Sequence, residues 1–361
     1  MKIAFISASE GTHPVGGHKI LYEYANRLSA RGHEVKVVHF ASVTSQRDSK
    51  TLRGFLRPLR YLPLAIRGNW KPDNWFKVSP SVDLRFYPTF ARMFMPQADA
   101  YVAGWWTTAE RLGSANSVVG RRLYLIQHLE TWAGPEADVM ATWRAPLEKI
   151  VIARWLEQVA EGLGEPCHYI PNGLDFVKFG CDVAPEARSP RRLAMLYNDR
   201  VTWKGSLDGI AACSLLKEKY PDFEAEIFGE QVRPSTLPSW ITYHQLPAQQ
   251  ELRRIYNDAA IFLAPSYAEG WGLPPAEAMT CGAAVVATDI GGHREFCIDG
   301  HTALLVPAKS PEALASAVGK LIENNDLRLQ IAKNGCEHIQ TFTWKAAIDA
   351  FERVLAIGEQ N

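Results

Sequence analysis

The first stretch of the chain leaves few ways to fold. Residues 2–7 form a short apolar run and a loop carrying Gly11, Gly16 and Gly17 follows; residues 18–31 then place Ile20, Leu21, Tyr24 and Leu28 on one helical face, and residues 35–40 are again apolar. A strand, a helix and a strand in that order predict a parallel pair, because the crossover must return the chain to the same edge of the sheet. Parallel sheets are covered on both faces, so an open α/β sheet is the expectation. Residues 100–103 and 123–127 read as later strands of the same sheet, and residues 168–170 run into Pro171-Asn172-Gly173.

Between residues 182 and 192 the sequence is polar and rich in Pro and Arg, with no apolar period, which suits a hinge linker. A second α/β series follows, with strands at 193–197, 225–228, 261–264, 283–287 and 303–306. Helices are expected at 207–220, 249–257, 311–324, 326–341 and 344–357. The 361 residues therefore read as two Rossmann-like domains, 1–182 and 183–344. Zero formal net charge gives the whole chain no electrostatic case for nucleic acid. The six cysteines are scattered without a Cys-x-x-Cys pair, which implies neither zinc nor a disulfide framework. No stretch approaches the roughly 18 consecutive apolar residues of a membrane span. Residues 1–9 read as a strand and not as an export signal, so the expected location is the cytoplasm.

The chemistry concentrates in Pro265-Ser266-Tyr267-Ala268-Glu269-Gly270-Trp271-Gly272-Leu273-Pro274-Pro275-Ala276-Glu277. An apolar strand precedes this segment, and Pro274 or Pro275 marks the first turn of a helix, where a missing amide donor is tolerated. The amides of Trp271, Gly272 and Leu273 then stand at the positive end of a helix, and Gly270 and Gly272 let a phosphate approach the backbone. Glu269 and Glu277 flank that pocket. Carboxylates that accept from vicinal hydroxyls beside a diphosphate site suit a nucleotide sugar. Taken one at a time, Glu277 can equally stabilise a helix start and Glu269 can be a solvated loop residue. After the strand at 193–197, Arg200 and Lys204 lie four residues apart, close enough in sequence for both to reach one diphosphate.

The order strand, Glu, Gly-rich turn, Pro, Glu resembles the Glu-x7-Glu signature of retaining glycosyltransferases of the GT-B fold, in particular family 4, glycosyl transferases group 1. The resemblance implies two Rossmann-like domains facing each other across a deep cleft, with the helix from residue 344 onward (345–361) crossing back to the first domain. It implies an N-terminal domain that holds the acceptor and a C-terminal domain that holds the nucleoside-diphosphate sugar. Lys204-Gly205 matches the family's Lys-Gly; the family's arginine usually stands five residues before the lysine, where this chain has Asp199 and places Arg200 one position later. Gly16 and Gly17 correspond to a Gly-Gly loop near the phosphates and the transferred sugar. His128 corresponds to a histidine that contacts donor sugar or acceptor, although a histidine at a strand end can equally be a structural hydrogen bonder. By the same resemblance Glu269 and His128 belong to the catalytic set with Arg200 and Lys204. Pro171-Asn172-Gly173-Leu174-Asp175 resembles the family's Pro-Asn-Gly-Val-Asp, and Gly291-Gly292-His293-Arg294-Glu295 its Gly-Gly-x-x-Glu turn.

Trp105, Trp106 and Glu130 follow expected strands and are candidates for the acceptor side, the tryptophans as cleft wall and Glu130 toward an acceptor hydroxyl. No Asp-x-Asp occurs and no Gly-x-Gly-x-x-Gly opens the first sheet, so the expectation is a metal-independent enzyme without a dinucleotide cofactor. From 50 to 77 seven cations face only Asp73, and Arg53, Arg57 and Arg60 fall at helical spacing beside Leu52, Phe55, Leu56 and Leu59. That segment suits either peripheral contact with the inner face of an anionic membrane or a solvated loop over the first domain. The resulting expectation is hexosyl transfer from a nucleoside-diphosphate sugar to a glycan or lipid-linked glycan. A GT-B epimerase or hydrolase, and a non-catalytic nucleotide-sugar-binding protein, stay open as rivals. The base, the sugar and the acceptor stay open too.

Overall fold

The computed structural model describes residues 1–41, 43, 61–115 and 119–356. Its chain divides into two compact units, Met1–Asn172 with Lys345–Asn361, and Gly173–Trp344.

The first unit is built on a seven-stranded parallel sheet in the order β3-β2-β1-β4-β5-β6-β7. Its strands are β1 (Lys2–Ala8), β2 (Glu34–Phe40), β3 (Asp83–Tyr87), β4 (Ala100–Ala103), β5 (Arg121–Ile126), β6 (Glu148–Val151) and β7 (Cys167–Tyr169). Ile3 pairs with Val35 on one side and with Ala100 on the other, so β1 is central. Its Ile3, Ala4, Phe5 and Ile6 are all buried, which is why the run reads as continuously apolar and not as alternating. The helices are α1 (Gly16–Ala30), α2 (Leu62–Arg67), α3 (Trp106–Gly113), α4 (Glu136–Trp143) and α5 (Arg154–Gly162). Pro63 occupies the first turn of α2, where it opens a helix instead of interrupting one. Arg53, Arg57 and Arg60, with their apolar neighbours, lie outside the described residues.

The last helix, Trp344–Ala356, returns to this unit as the sequence resemblance implies. Phe351 stacks on Phe5 at 6.2 Å and lies 4.9 Å from the Tyr24 ring. Arg31 reaches Asp349 at 2.6 Å and Glu352 at 2.5 Å, and Arg121 donates to the Val354 carbonyl at 2.6 Å, satisfying an orphan acceptor of the final turn.

The second unit repeats the architecture with six parallel strands in the order β10-β9-β8-β11-β12-β13. They are β8 (Arg192–Tyr197), β9 (Glu224–Gly229), β10 (Thr242–Gln245), β11 (Ile261–Ala264), β12 (Ala284–Thr288) and β13 (Ala303–Val306). The helices after α5 are α6 (Ser206–Lys219), α7 (Gln249–Asp258), α8 (Leu273–Thr280), α9 (Pro311–Glu323), α10 (Asn325–Ile339) and α11, the returning Trp344–Ala356. Both sheets thus run outward in two directions from a central pair, β1/β4 in one and β8/β11 in the other. Those are the points where an open α/β sheet leaves a crevice outside its strand ends.

The division falls after Asn172, not in the Pro/Arg-rich segment. Leu174 pairs with Thr343 in an isolated bridge. Asn257 binds the Gly180 carbonyl at 2.9 Å and accepts from the Asp182 amide at 2.6 Å. Arg188 is itself buried and donates to the carbonyls of Val183 and Ala259 at 3.1 and 3.0 Å. A buried guanidinium bound to carbonyls fixes a segment, so what reads as a hinge is part of the second unit.

Candidate functional site

At the switch point of the second unit, the loop after β8 carries Lys204 and the loop after β11 carries Glu269. Their side chains meet, Lys204 Nζ to Glu269 Oε1 at 2.7 Å. Each loop is held locally. Asn198 and Ser206 close the first, the Ser206 hydroxyl accepting from the Asn198 amide at 2.8 Å, and the Tyr267 amide donates to the Trp203 carbonyl at 2.6 Å to join the two. Gly205 has φ 62°, and a Cβ there would lie 2.0 Å from the Pro265 carbonyl oxygen, so only glycine lets the lysine loop sit on the glutamate loop.

Beneath the pair, Ser266 donates to Glu269 Oε1 at 2.8 Å. Burial alone would raise the Glu269 carboxyl, but the Lys204 charge and the hydrogen bonds of Lys204 and Ser266 outweigh it and hold it below the ordinary range. His293 completes the floor. Its Nδ1 lies 2.8 Å from the Thr288 carbonyl, which can only accept, so Nδ1 carries the proton and Nε2 is left as an acceptor. Burial lowers the His293 pKa and keeps the ring neutral. Gly292 allows this packing, since a Cβ there would lie 2.5 Å from the Glu269 carbonyl oxygen. Leu196, Lys204, Ser266, Glu269, Pro274 and His293 line one recess.

The helix at the recess starts at Leu273, with Gly272 at its cap and Pro274 and Pro275 in the first turn. The amides of Trp271, Gly272 and Leu273 make no hydrogen bond among the described residues. These donors are available to an anion, as the sequence implies. The Trp271 side chain turns inward, against Phe296 at 4.8 Å and Phe342 at 5.5 Å. Glu277, on the same helix, is buried, and Tyr256 donates to its Oε2 at 3.1 Å. Arg200, on the same loop as Lys204, is exposed and makes no ion pair among the described residues. His293 is the recess residue that sequence reasoning missed; the signal was its place directly after Gly291-Gly292.

In the first unit Gly16 and Gly17 begin α1, and Gln127 donates to the Gly17 carbonyl at 3.2 Å. That bond ties the loop after β1 to the loop after β5. Glu130 and Trp106 depart from their expected roles. Glu130 is 2% exposed, and its Oε2 accepts from the Trp106 amide at 2.8 Å and from the Tyr124 hydroxyl at 3.4 Å. It serves the first amide of α3 and does not face an acceptor. Burial pushes its carboxyl up to about 8, the two hydrogen bonds offsetting only part of that. Trp106 is buried as well; a Cβ on Gly134 would lie 2.4 Å from its ring. Trp106 is therefore core and not cleft wall. Trp105 does reach an aromatic group, with its ring 5.5 Å from Trp132, while His128 lies 6.3 Å from Trp132 and 5.8 Å from Trp155.

Residues 184–338, nearly the whole second unit, match the family described as glycosyl transferases group 1. Over this unit the chain is similar to the glycosyl transferases of group 1. The D-inositol 3-phosphate glycosyltransferase of Corynebacterium aurimucosum is 32% identical over 164 residues, 41% of this chain and 38% of that protein. That of Corynebacterium jeikeium is 37% identical over 105 residues, 29% of this chain and 25% of that protein. Across these and other D-inositol 3-phosphate glycosyltransferases that it matches, the chain spans between 23% and 49% of the relative's length. Sucrose-phosphate synthase from Thermosynechococcus elongatus superposes with a TM-score of 0.76 at 18% identity, covering 98% of each chain. Anabaena HepE, solved with UDP-glucose, gives 0.74 at 16% identity over 99% of this chain and 100% of that one. At such identities the likeness establishes the fold: the chain is α/β, built of two Rossmann-like units of the GT-B kind. Among the described residues no helix is long and apolar enough to cross a membrane.

Proposed function

We propose that this chain is a retaining, metal-independent glycosyltransferase that moves a hexosyl unit from a nucleoside-diphosphate sugar to a glycan or lipid-linked glycan. The observation that carries the reading is the second unit's switch point. There Lys204 and Glu269 stand on the loops after the adjacent strands β8 and β11, and three unused amides and Glu277 belong to the start and body of the helix that follows β11. Lys204 and the amides of Trp271, Gly272 and Leu273 would take the diphosphate, Glu269 the hydroxyls of the donor sugar and Glu277 those of the ribose. Arg200, exposed on the same loop, would join Lys204. The UDP-glucose bound to HepE supports the donor class.

In this mechanism the bond from C1 to the diphosphate oxygen breaks while a bond from C1 to the acceptor oxygen forms on the same face. The acceptor proton passes to the departing phosphate oxygen, so no protein nucleophile is required. Lys204 and the amides stabilise charge that grows on the leaving group, a contribution of several kcal/mol in comparable preorganised sites, or about 10²–10³ in rate for one donor. Gly17 and His128 would stand on the sugar side, and the basic segment 50–77 would favour an acceptor at an anionic membrane.

Lys204→Ala and Glu277→Ala test the reading through release of nucleoside diphosphate from UDP-, GDP- and dTDP-sugars and through their binding by the native chain. Transfer should fall at least about a hundredfold in each variant. Near-native turnover in both would refute the assignment.

A further inference from the structure

The first unit carries an aromatic surface of which the donor reading uses only His128. Trp105 caps α3 after β4, His128 and Trp132 lie in the loop after β5, and Trp155 sits in the first turn of α5 after β6. Three neighbouring strands therefore deliver their aromatic residues at the same end of the sheet. The rings form a chain, Trp105 to Trp132 at 5.5 Å, Trp132 to His128 at 6.3 Å and His128 to Trp155 at 5.8 Å. Trp132 is nevertheless 49% exposed.

An exposed tryptophan on a loop is ordinarily mobile, but this loop is bolted down. Glu130 adopts φ 61°, a left-handed conformation that costs a non-glycine residue roughly 1–3 kcal/mol. Its carboxyl is buried on the amide of Trp106, next to Trp105, and its own amide donates to His128 Nδ1 at 3.3 Å. The Ala133 amide closes the turn onto the Glu130 carbonyl at 2.9 Å. One strained, buried acid thus fixes the positions of Trp105, His128 and Trp132 together. Core packing does not require holding a half-exposed indole still; a ligand stacked on its face does.

We propose that Trp132, flanked by Trp105 and by His128 with Trp155 behind it, is a stacking site for one pyranose ring of the acceptor. The axial C–H face of a pyranose is apolar and carries slight positive charge, which the negative face of an indole attracts, while the ring hydroxyls remain at the edge in contact with solvent. The site deepens the transferase reading by making the acceptor a saccharide and not a bare lipid, and it rests on that reading for the word acceptor.

The test uses saturation-transfer NMR on the full chain with methyl α- and β-pyranosides of glucose, galactose, mannose and rhamnose. At least one should bind, with the strongest transfer at ring C–H protons. Trp132→Ala should weaken it about tenfold, the equivalent of roughly 1.4 kcal/mol, and Trp132→Tyr should stay within about threefold of the native chain. The proposal is overturned if no pyranoside binds, if Trp132→Ala binds like the native chain, or if both substitutions lose binding alike, which would make Trp132 structural. UDP-glucose binding by the native chain is measured alongside. Its absence would remove the donor reading, whereas the pyranoside result stands by itself.

Discussion

Replacing Glu130 by glutamine isolates what a buried acid does to this fold. In the native chain the carboxyl is raised by burial from an ordinary 4.5 to about 8. A raised carboxyl binds its proton more tightly when folded than when unfolded, so its contribution is fully present below pH 4.5 and is lost as pH climbs to about 8. At about 1.36 kcal/mol per pKa unit, the loss across that window approaches 5 kcal/mol, an upper figure because water entry and loop adjustment relax a charged group. Glutamine keeps an oxygen for the Trp106 amide and cannot ionise. Its stability relative to the native chain should therefore climb with pH from 4.5 to 8.5. At about 2–4 °C per kcal/mol for a unit of this size, the melting difference should move by up to about 10–20 °C. Calorimetry of the pair at pH 5, 6.5 and 8.5 reads it directly. The comparison cancels His39, which burial pushes down to about 3 and which acts in the opposite sense. A melting difference that stays flat within about 2 °C would mean that Glu130 ionises normally and that the buried-acid reasoning is wrong.

The donor site supports two sharper expectations. Tyr256 is fully buried among Phe179, Phe228 and Phe262, with ring distances of 5.7, 5.6 and 5.6 Å, and holds Glu277 through its hydroxyl, so Tyr256→Phe should weaken nucleotide binding roughly tenfold with little change in kcat. A fall in kcat at unchanged KM would show that Tyr256 does not act through Glu277. Glu269→Gln removes the negative charge beside Lys204 and should tighten binding of free UDP at least about threefold while weakening UDP-glucose, both by calorimetric titration. Parallel changes for the two ligands would contradict a role for Glu269 at the sugar.

Much of this was legible because parallel strands announce themselves as apolar runs and because loops at their carboxyl ends follow in register. Residues 261–264 and the Pro274-Pro275 helix start needed only local rules. β6 escaped because its second residue is Lys149, which is buried yet paired with Glu165 at 2.6 Å, a partner far along the sequence. β10 and β3 are edge strands, half-exposed and without an apolar run. The direction of Glu130 depends on a left-handed backbone and on an amide 24 residues away, which no local pattern encodes. The same holds for Arg188, whose guanidinium turned an expected hinge into fixed structure.

The two units share a strand order but spend their switch points differently. Around β8 and β11 the loops present a cation, unused amides and carboxylates, the donors and acceptors that a charged, hydroxylated ligand exchanges for water. Lys204 and Glu269 neutralise each other there, so neither is buried uncompensated. Around β4, β5 and β6 the loops present indole planes, and the one carboxyl among them is turned inward and raised until it holds its proton at neutral pH. A carboxylate left facing outward there would demand a polar partner; a protonated one locks the backbone and leaves the surface apolar. Charge compensation in one unit and charge removal in the other would suit the two proposed ligands, a diphosphate in the first case and the apolar face of a sugar in the second.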